Sequence, residues 1–314
     1  MSVQPAVTER DTGRAGSTSG ALVALAVFGA LGALMAVVAW WIGVRTGWGQ
    51  QLEDYAFEGR KATWYRLRQV GTRGFSAVWV PVAVVSAVGA VIVAFRRRGL
   101  VLAAAAAVVV AVPPVLATGL KRVIERPDLV DLMWANARNS FPSGHAALVA
   151  SVSLVWVVVV AERSRAWVAG AAAVGVGVGA AAILGTGWHR MSDVVGGIGL
   201  AALVAALVLA VVVWSTGAEV LGGRGAERRG VTLADVAIPL GLAVLACVAV
   251  YGLRNPRSDP AHPMWAFVGS VFVAVFTVSA LPLLLASVLD RLPRAPRPRP
   301  WRAASQRIRS TPPS

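Results

Sequence analysis

Residues 139–160 read NSFPSGHAALVASVSLVWVVVV. A cluster of polar and turn-forming residues passes straight into a run of Val, Leu, Ala and Trp. An apolar run near the roughly 18–20 residues needed to cross a bilayer reads as a membrane-spanning helix. Hydrogen-bonding and titratable side chains at the edge of hydrocarbon are costly, so a cluster placed there points to function. This one stretch therefore predicts both a helical span and a chemical site at its mouth.

Working outward, the same apolar character recurs along the chain. Of 314 residues, 57% are hydrophobic and 14% are charged, with a mean hydropathy of +0.67. A soluble domain usually carries about 25% charged residues. The composition excludes an ordinary soluble enzyme and predicts an all-α, polytopic membrane bundle. Eight spans are expected, near residues 21–44, 76–95, 99–120, 143–161, 166–187, 194–214, 233–252 and 265–289. The first connection, residues 45–75, is amphipathic in places and suits a helix lying along the interface.

The flanks and charges complete the outline. Residues 1–20, rich in Thr, Ser, Gly and charge, read as a disordered tail. Residues 290–314 are rich in Arg and Pro and read as a second, basic disordered tail that contacts anionic headgroups. No cleavable signal peptide is expected, because no small-residue cleavage site follows the first long apolar run. The net charge of +15 is spread over loops and the tail. It reads as topology and lipid contact, with no nucleic acid as partner. The single cysteine, Cys247, lies in an apolar run and excludes an intrachain disulfide.

The Arg96–Arg98 triplet marks an inner face. Together with seven arginines in the C-terminal tail, it favours cytoplasmic termini in a multi-pass protein of the cell membrane. The NSFPSGH end of the fourth span then faces the extracytoplasmic side.

Alternating spans bring the polar residues to that same level. Lys121 ends the third span, His145 opens the fourth, His189 ends the fifth and Asp193 opens the sixth. The chain has only two lysines and three histidines, so one Lys and two His at one level is unlike random placement. In GWHRMSDVVGG, His189 and Asp193 stand four apart and share a helical face. A carboxylate on one imidazole nitrogen fixes the tautomer and leaves the other nitrogen as a nucleophile. The bland alternative is a His–Asp pair capping an interfacial helix.

In FPSGHA, Ser143 is a good N-cap residue, and the free N–H groups of a helix start suit an anion. His145 in the first turn can donate a proton to a leaving oxygen. In LKRVIERPDL, Pro127 disfavours helix at Arg126, so the helix is expected to end between Lys121 and Arg126. On an unbroken helix that spacing would turn the two side chains about 140° apart. A break lets both reach one anion, Arg126 as a fork and Lys121 as a point charge.

These stretches together resemble the type 2 phosphatidic acid phosphatase superfamily of integral-membrane lipid phosphatases. Its pattern is Lys-x6-Arg-Pro, then Pro-Ser-Gly-His, then Ser-Arg-x5-His-x3-Asp. The second motif is complete as Pro142, Ser143, Gly144 and His145, and the third is half present as His189 and Asp193. Two positions depart from it. Asp128 stands seven residues after Lys121, with Arg126-Pro127 two residues early, and Ala182 and Ile183 stand where Ser-Arg is expected. Arg190, Arg138 and Arg122 are candidates to compensate, Arg190 foremost as the neighbour of His189.

The resemblance implies a six-span phosphatase core over residues 21–214, with motifs within 121–193, and leaves two additional spans in residues 215–289. It implies that Lys121, Arg126, Ser143, Gly144 and Arg190 hold phosphate. His189, held by Asp193, forms a phosphohistidine, and His145 protonates the leaving alcohol. No carboxylate cluster suited to Mg²⁺ accompanies these residues, in keeping with a reaction that needs no cofactor or metal. Phosphatidate, phosphatidylglycerol phosphate and polyprenyl pyrophosphate all fit a site at the lipid–water boundary. Competing expectations are a lipid phosphotransferase on the same fold and a non-catalytic protein that binds lipid phosphate. A transporter fits less well, because the ionisable residues gather at one face.

Overall fold

A computed structural model describes residues 9–63, 65–130, 139–221 and 262–292. Among these there are eight α-helices and no strand: α1 (Glu9–Arg45), α2 (Gly47–Thr63), α3 (Tyr65–Arg98), α4 (Leu100–Val123), α5 (Gly144–Val159), α6 (Glu162–Thr186), α7 (Met191–Thr216) and α8 (His262–Asp290). The architecture is a polytopic helical bundle. Five helices are long and apolar enough to cross a membrane: α1 from Thr18, α4, α6, α7 and α8 from Pro263. The expected span 76–95 lies within α3. The expected span 143–161 is the shorter apolar helix α5. The span expected at 233–252, Cys247, Arg138 and most of the basic C-terminal tail lie outside the described residues.

One boundary differs from expectation. The helix α1 starts at Glu9, so part of the stretch read as a tail is helical. Once the long apolar part has nucleated, extending it costs little.

The core is built from small residues, which let helix backbones approach closely where lipid offers no hydrophobic drive to association. α7 is the most buried of the five long apolar helices and packs on α1, α4 and α5. A Cβ on Gly32 would meet the Gly199 carbonyl and the Ala202 side chain, so α1 and α7 touch almost backbone to backbone. Gly175 and Gly179, four apart on α6, do not share a partner. Gly179 packs on Val149 of α5, Gly175 meets nothing within 4 Å, and it is Gly177 that lies against Val275 and Ser279 of α8.

The connection between α1 and α3 does more than skirt the bundle. α2 packs against α8 and α1 and buries Gln50, Glu53, Ala56 and Arg60, a helical three-to-four spacing. Three of those four are polar, so this face needs partners for its hydrogen-bonding groups. Gln50 donates to the carbonyls of Val44 and Pro127 and accepts from the Leu129 N–H. Arg60 donates to the Thr186 carbonyl at the end of α6. α2 thereby pins both the segment after α4 and the turn that leads into His189.

Candidate active site

The site forms where four helix ends meet. α4 ends at Val123, with Ile124 extended, so the helix breaks between Lys121 and Arg126 as the proline predicts. Asn139 then shapes the approach to α5, its side chain donating to the carbonyls of Ile124 and Phe141. The Phe141–Pro142 peptide is cis. Ser143 caps α5, its Oγ accepting from the Ala146 N–H at 3.2 Å, as its residue type predicts.

This loop rests on the first turns of α7. The Ser143 N–H donates to the Asp193 carbonyl at 2.8 Å. The Phe141 ring covers Gly196, and the Ser143 carbonyl covers Gly197 so closely that no Cβ fits between them. Glycine is required at position 197 by that approach. α6 ends in a left-handed Gly187, φ 71°, which turns the chain toward Trp188 and His189.

Asp193 is fully buried and organises the centre. Its Oδ2 accepts from the Ser140 hydroxyl at 2.5 Å and from the Arg190 N–H at 2.9 Å. The same oxygen lies 3.4 Å from His189 Nδ1, the long edge of a hydrogen bond. A proton on Nδ1 would point at Asp193 and leave Nε2 as the free nitrogen. His189 itself is buried, whereas His145 is exposed, and their ring centroids are 6.1 Å apart. Trp188 stands 5.4 Å from His145 and walls the same opening. Lys121, half-buried, is near enough to act electrostatically on both His145 and Asp193.

The two arginines are placed differently. Arg126 is buried, with Nη2 donating to Glu53 at 2.8 Å and to the Gly43 carbonyl at 2.9 Å. Its Nη1 lies 3.8 Å from Asp193 Oδ1, and Nε and Nη1 have no hydrogen-bond partner among the described residues. Arg190 turns toward α2, its guanidinium 6.0 Å from the Phe57 ring centroid. Burial, then the nearby Arg126, lowers its proton affinity below the usual arginine range. Of the other candidate arginines, Arg122 is exposed on the last turn of α4. The third-motif position Ile183 is fully buried within α6.

Three participants were not singled out from the sequence. Ser140 is one, although it lies inside the quoted stretch. Gly43 contributes only a carbonyl, which no motif reveals. Glu53, on α2, is the third: its Oε1 accepts from the Ser192 N–H at 2.7 Å. One side of it faces an apolar cavity of about 230 Å³, walled by Met35, Val38, Ile42 and Val195. Burial holds its carboxyl above the usual carboxylate range, although Arg126 pulls the other way.

A His–Asp pair facing a second histidine across a cationic, N–H-rich helix start is suited to covalent phosphoryl transfer. Residues 98–216 match the PAP2 superfamily. This part of the chain is similar to that superfamily. The PAP2 match spans α4 to α7 and contains Lys121, Arg126, Ser143, His145, His189 and Asp193. The PAP2 superfamily implies phosphatase-type chemistry on phosphate esters. No curated protein and no solved structure matches the chain. α1, α2 and α8 lie outside the PAP2 match, as does all of α3 but Arg98.

Proposed function

We propose that this chain is a membrane-bound phosphohydrolase that removes phosphate from a lipid phosphate or pyrophosphate through a phosphohistidine, without a metal. The observation that carries the reading is the buried His189, 3.4 Å from a buried Asp193, with the exposed His145 facing it at 6.1 Å between ring centroids. Nucleophile and proton donor thus lie on two sides of a space one phosphoryl group can occupy.

In the first step His189 Nε2 attacks phosphorus and a P–N bond forms as the P–O bond to the leaving group breaks. Protonated His145 gives its proton to the departing oxygen. In the second step neutral His145 takes a proton from water, whose oxygen attacks phosphorus and breaks the P–N bond. Inorganic phosphate leaves, and both histidines return to their starting states. Asp193 holds the tautomer throughout. Lys121, Ser143, the start of α5 at Gly144, Arg190 and the unbonded edge of Arg126 supply positive charge and N–H groups for the equatorial oxygens.

The substrate class rests on location. The polar groups of the site gather at helix ends of a bundle whose spans are predominantly apolar, so a substrate with its phosphate at the boundary and its chain in the bilayer meets the site directly. The extracytoplasmic face is proposed from the distribution of arginines.

The test is phosphate release in detergent with excess EDTA, from phosphatidate and from a polyprenyl pyrophosphate, beside His189→Ala. Release that survives chelation and vanishes in the variant supports the reading. Lipid phosphate bound but not hydrolysed would replace it with a binding function. Transfer to an added lipid alcohol in preference to water would make the chain a transferase.

A further inference from the structure

Glu53 lies on α2, outside the family segment, and stands in none of the three motifs. Both its carboxylate oxygens are engaged, and each holds a different half of the site. Oε2 takes Nη2 of Arg126 at 2.8 Å, and Oε1 takes the N–H of Ser192 at 2.7 Å. Ser192 immediately precedes Asp193 in the first turn of α7. A guanidinium presents its donors in a rigid fork, so fixing one edge aims the other. Glu53 and the Gly43 carbonyl fix Nη2, which directs Nη1 and Nε toward the side of Asp193.

Charge makes the same point. Arg126 stands between two buried carboxylates, Glu53 and Asp193. Also acting on this group are Lys121 from α4, and Arg190 and His189 from the turn before α7. With Glu53 neutral, the guanidinium would be drawn to Asp193 alone, in competition with the imidazole of His189. With Glu53 charged, Arg126 is balanced from behind and Asp193 stays with His189, Ser140 and the Arg190 N–H.

We propose that Glu53 is a positioning residue of the phosphohydrolase site, aiming Arg126 at the phosphate and anchoring the turn that carries Asp193. The proposal rests on the phosphohydrolase reading above, and it gives α2 a part in the site although it lies outside the family segment.

The experiment uses the full chain in detergent with phosphatidate as substrate and orthovanadate as the phosphoryl-transfer inhibitor. Four forms are compared: unaltered, Glu53→Gln, Glu53→Ala and Asp290→Asn. The last breaks a comparable ion pair, Arg165–Asp290 at 2.9 Å, which lies at the other ends of α6 and α8. Glu53→Gln keeps an oxygen for the Ser192 N–H but removes the charge opposite Arg126. It is expected to weaken vanadate inhibition and raise KM by about tenfold, the effect of ~1.4 kcal/mol, with a smaller fall in kcat. Glu53→Ala is expected to lower kcat further, because the turn bearing Asp193 is released. Asp290→Asn is expected to lower the melting temperature and leave vanadate inhibition unchanged. Glu53→Gln with lowered melting and unaltered vanadate inhibition and KM would make Glu53 a structural residue and overturn the proposal alone. Absence of phosphate release from the unaltered chain would overturn the phosphohydrolase reading, and this role with it.

Discussion

His145 and His189 face each other with ring centroids 6.1 Å apart, the first exposed at a helix start and the second buried beside Asp193. The difference in burial separates their roles. A nucleophile profits from a fixed orientation, whereas a proton donor must exchange its proton with water between turnovers. Removing His189 is therefore expected to abolish phosphate release from every ester. Removing His145 is expected to depend on the leaving group: a loss of about 10²–10⁴-fold with an alkyl phosphate, and much less with a nitrophenyl phosphate, whose leaving oxygen needs no proton. Rates for both substrates with His145→Ala check this. Equal losses would remove His145 from the proton-donor role.

Gly197 carries the weight of the loop above it. A Cβ there would collide with the Ser143 carbonyl, whose own N–H is bonded to the Asp193 carbonyl. Gly197→Ala is expected to lift residues 141–143 and misplace the start of α5, while the apolar helices remain. Activity should fall by at least about tenfold, since sub-ångström misplacement of a reacting group is expensive. Helicity by circular dichroism should be unchanged. Full activity would show that the loop tolerates the shift.

Much of this arrangement was legible in the sequence because local rules and the site agree. Pro127 ends α4 where it should, Ser143 caps α5, and the His189–Asp193 spacing falls on the turn into α7. The alternation of spans was enough to bring Lys121, His145, His189 and Asp193 to one level. What was not legible came from between the spans. Residues 45–75 read as an interfacial connection because their charges are mixed with apolar residues. Yet Glu53 and Arg60 are buried, and their partners lie far along the chain: Arg126 and Ser192 for one, Thr186 for the other. Tertiary hydrogen bonds and ion pairs of this kind leave no periodic trace in a single sequence. The small-residue pattern of α6 was likewise ambiguous, since a Gly spacing does not say which neighbour it admits.

Glu53 also makes a prediction about pH. Burial raises its carboxyl above the ordinary 4.5, so the folded chain binds this proton at a pH where the unfolded chain has released it. Its contribution to stability is thus fully present below about 4.5 and is lost as pH rises through the folded value. Glu53→Gln removes that titration. The melting temperature of the variant, relative to the unaltered protein, is expected to rise as pH increases from about 4.5 toward neutrality, whatever constant offset the amide itself introduces. A difference that falls with pH would mean that Arg126 dominates burial and holds the carboxyl down.

The last prediction concerns the far ends of α6 and α8. Arg165 is fully buried, with Nη1 on Asp290 at 2.9 Å and Nη2 donating to the Leu221 carbonyl at 3.1 Å. Taking both charges out of water is expensive, and their attraction repays it only while the geometry holds. Arg165→Ala leaves Asp290 without this partner and should cost about 3–5 kcal/mol, read from thermal or denaturant unfolding in detergent. Replacing both by apolar residues, Arg165→Met with Asp290→Leu, should recover most of that loss, because desolvation is then no longer paid on either side. Neither change reaches His189 or Arg126, so KM for a phosphate ester is expected to stay within about twofold in whatever fraction remains folded. A shift in KM with the double replacement would instead mean that α8 transmits strain along its length to α2 and the site.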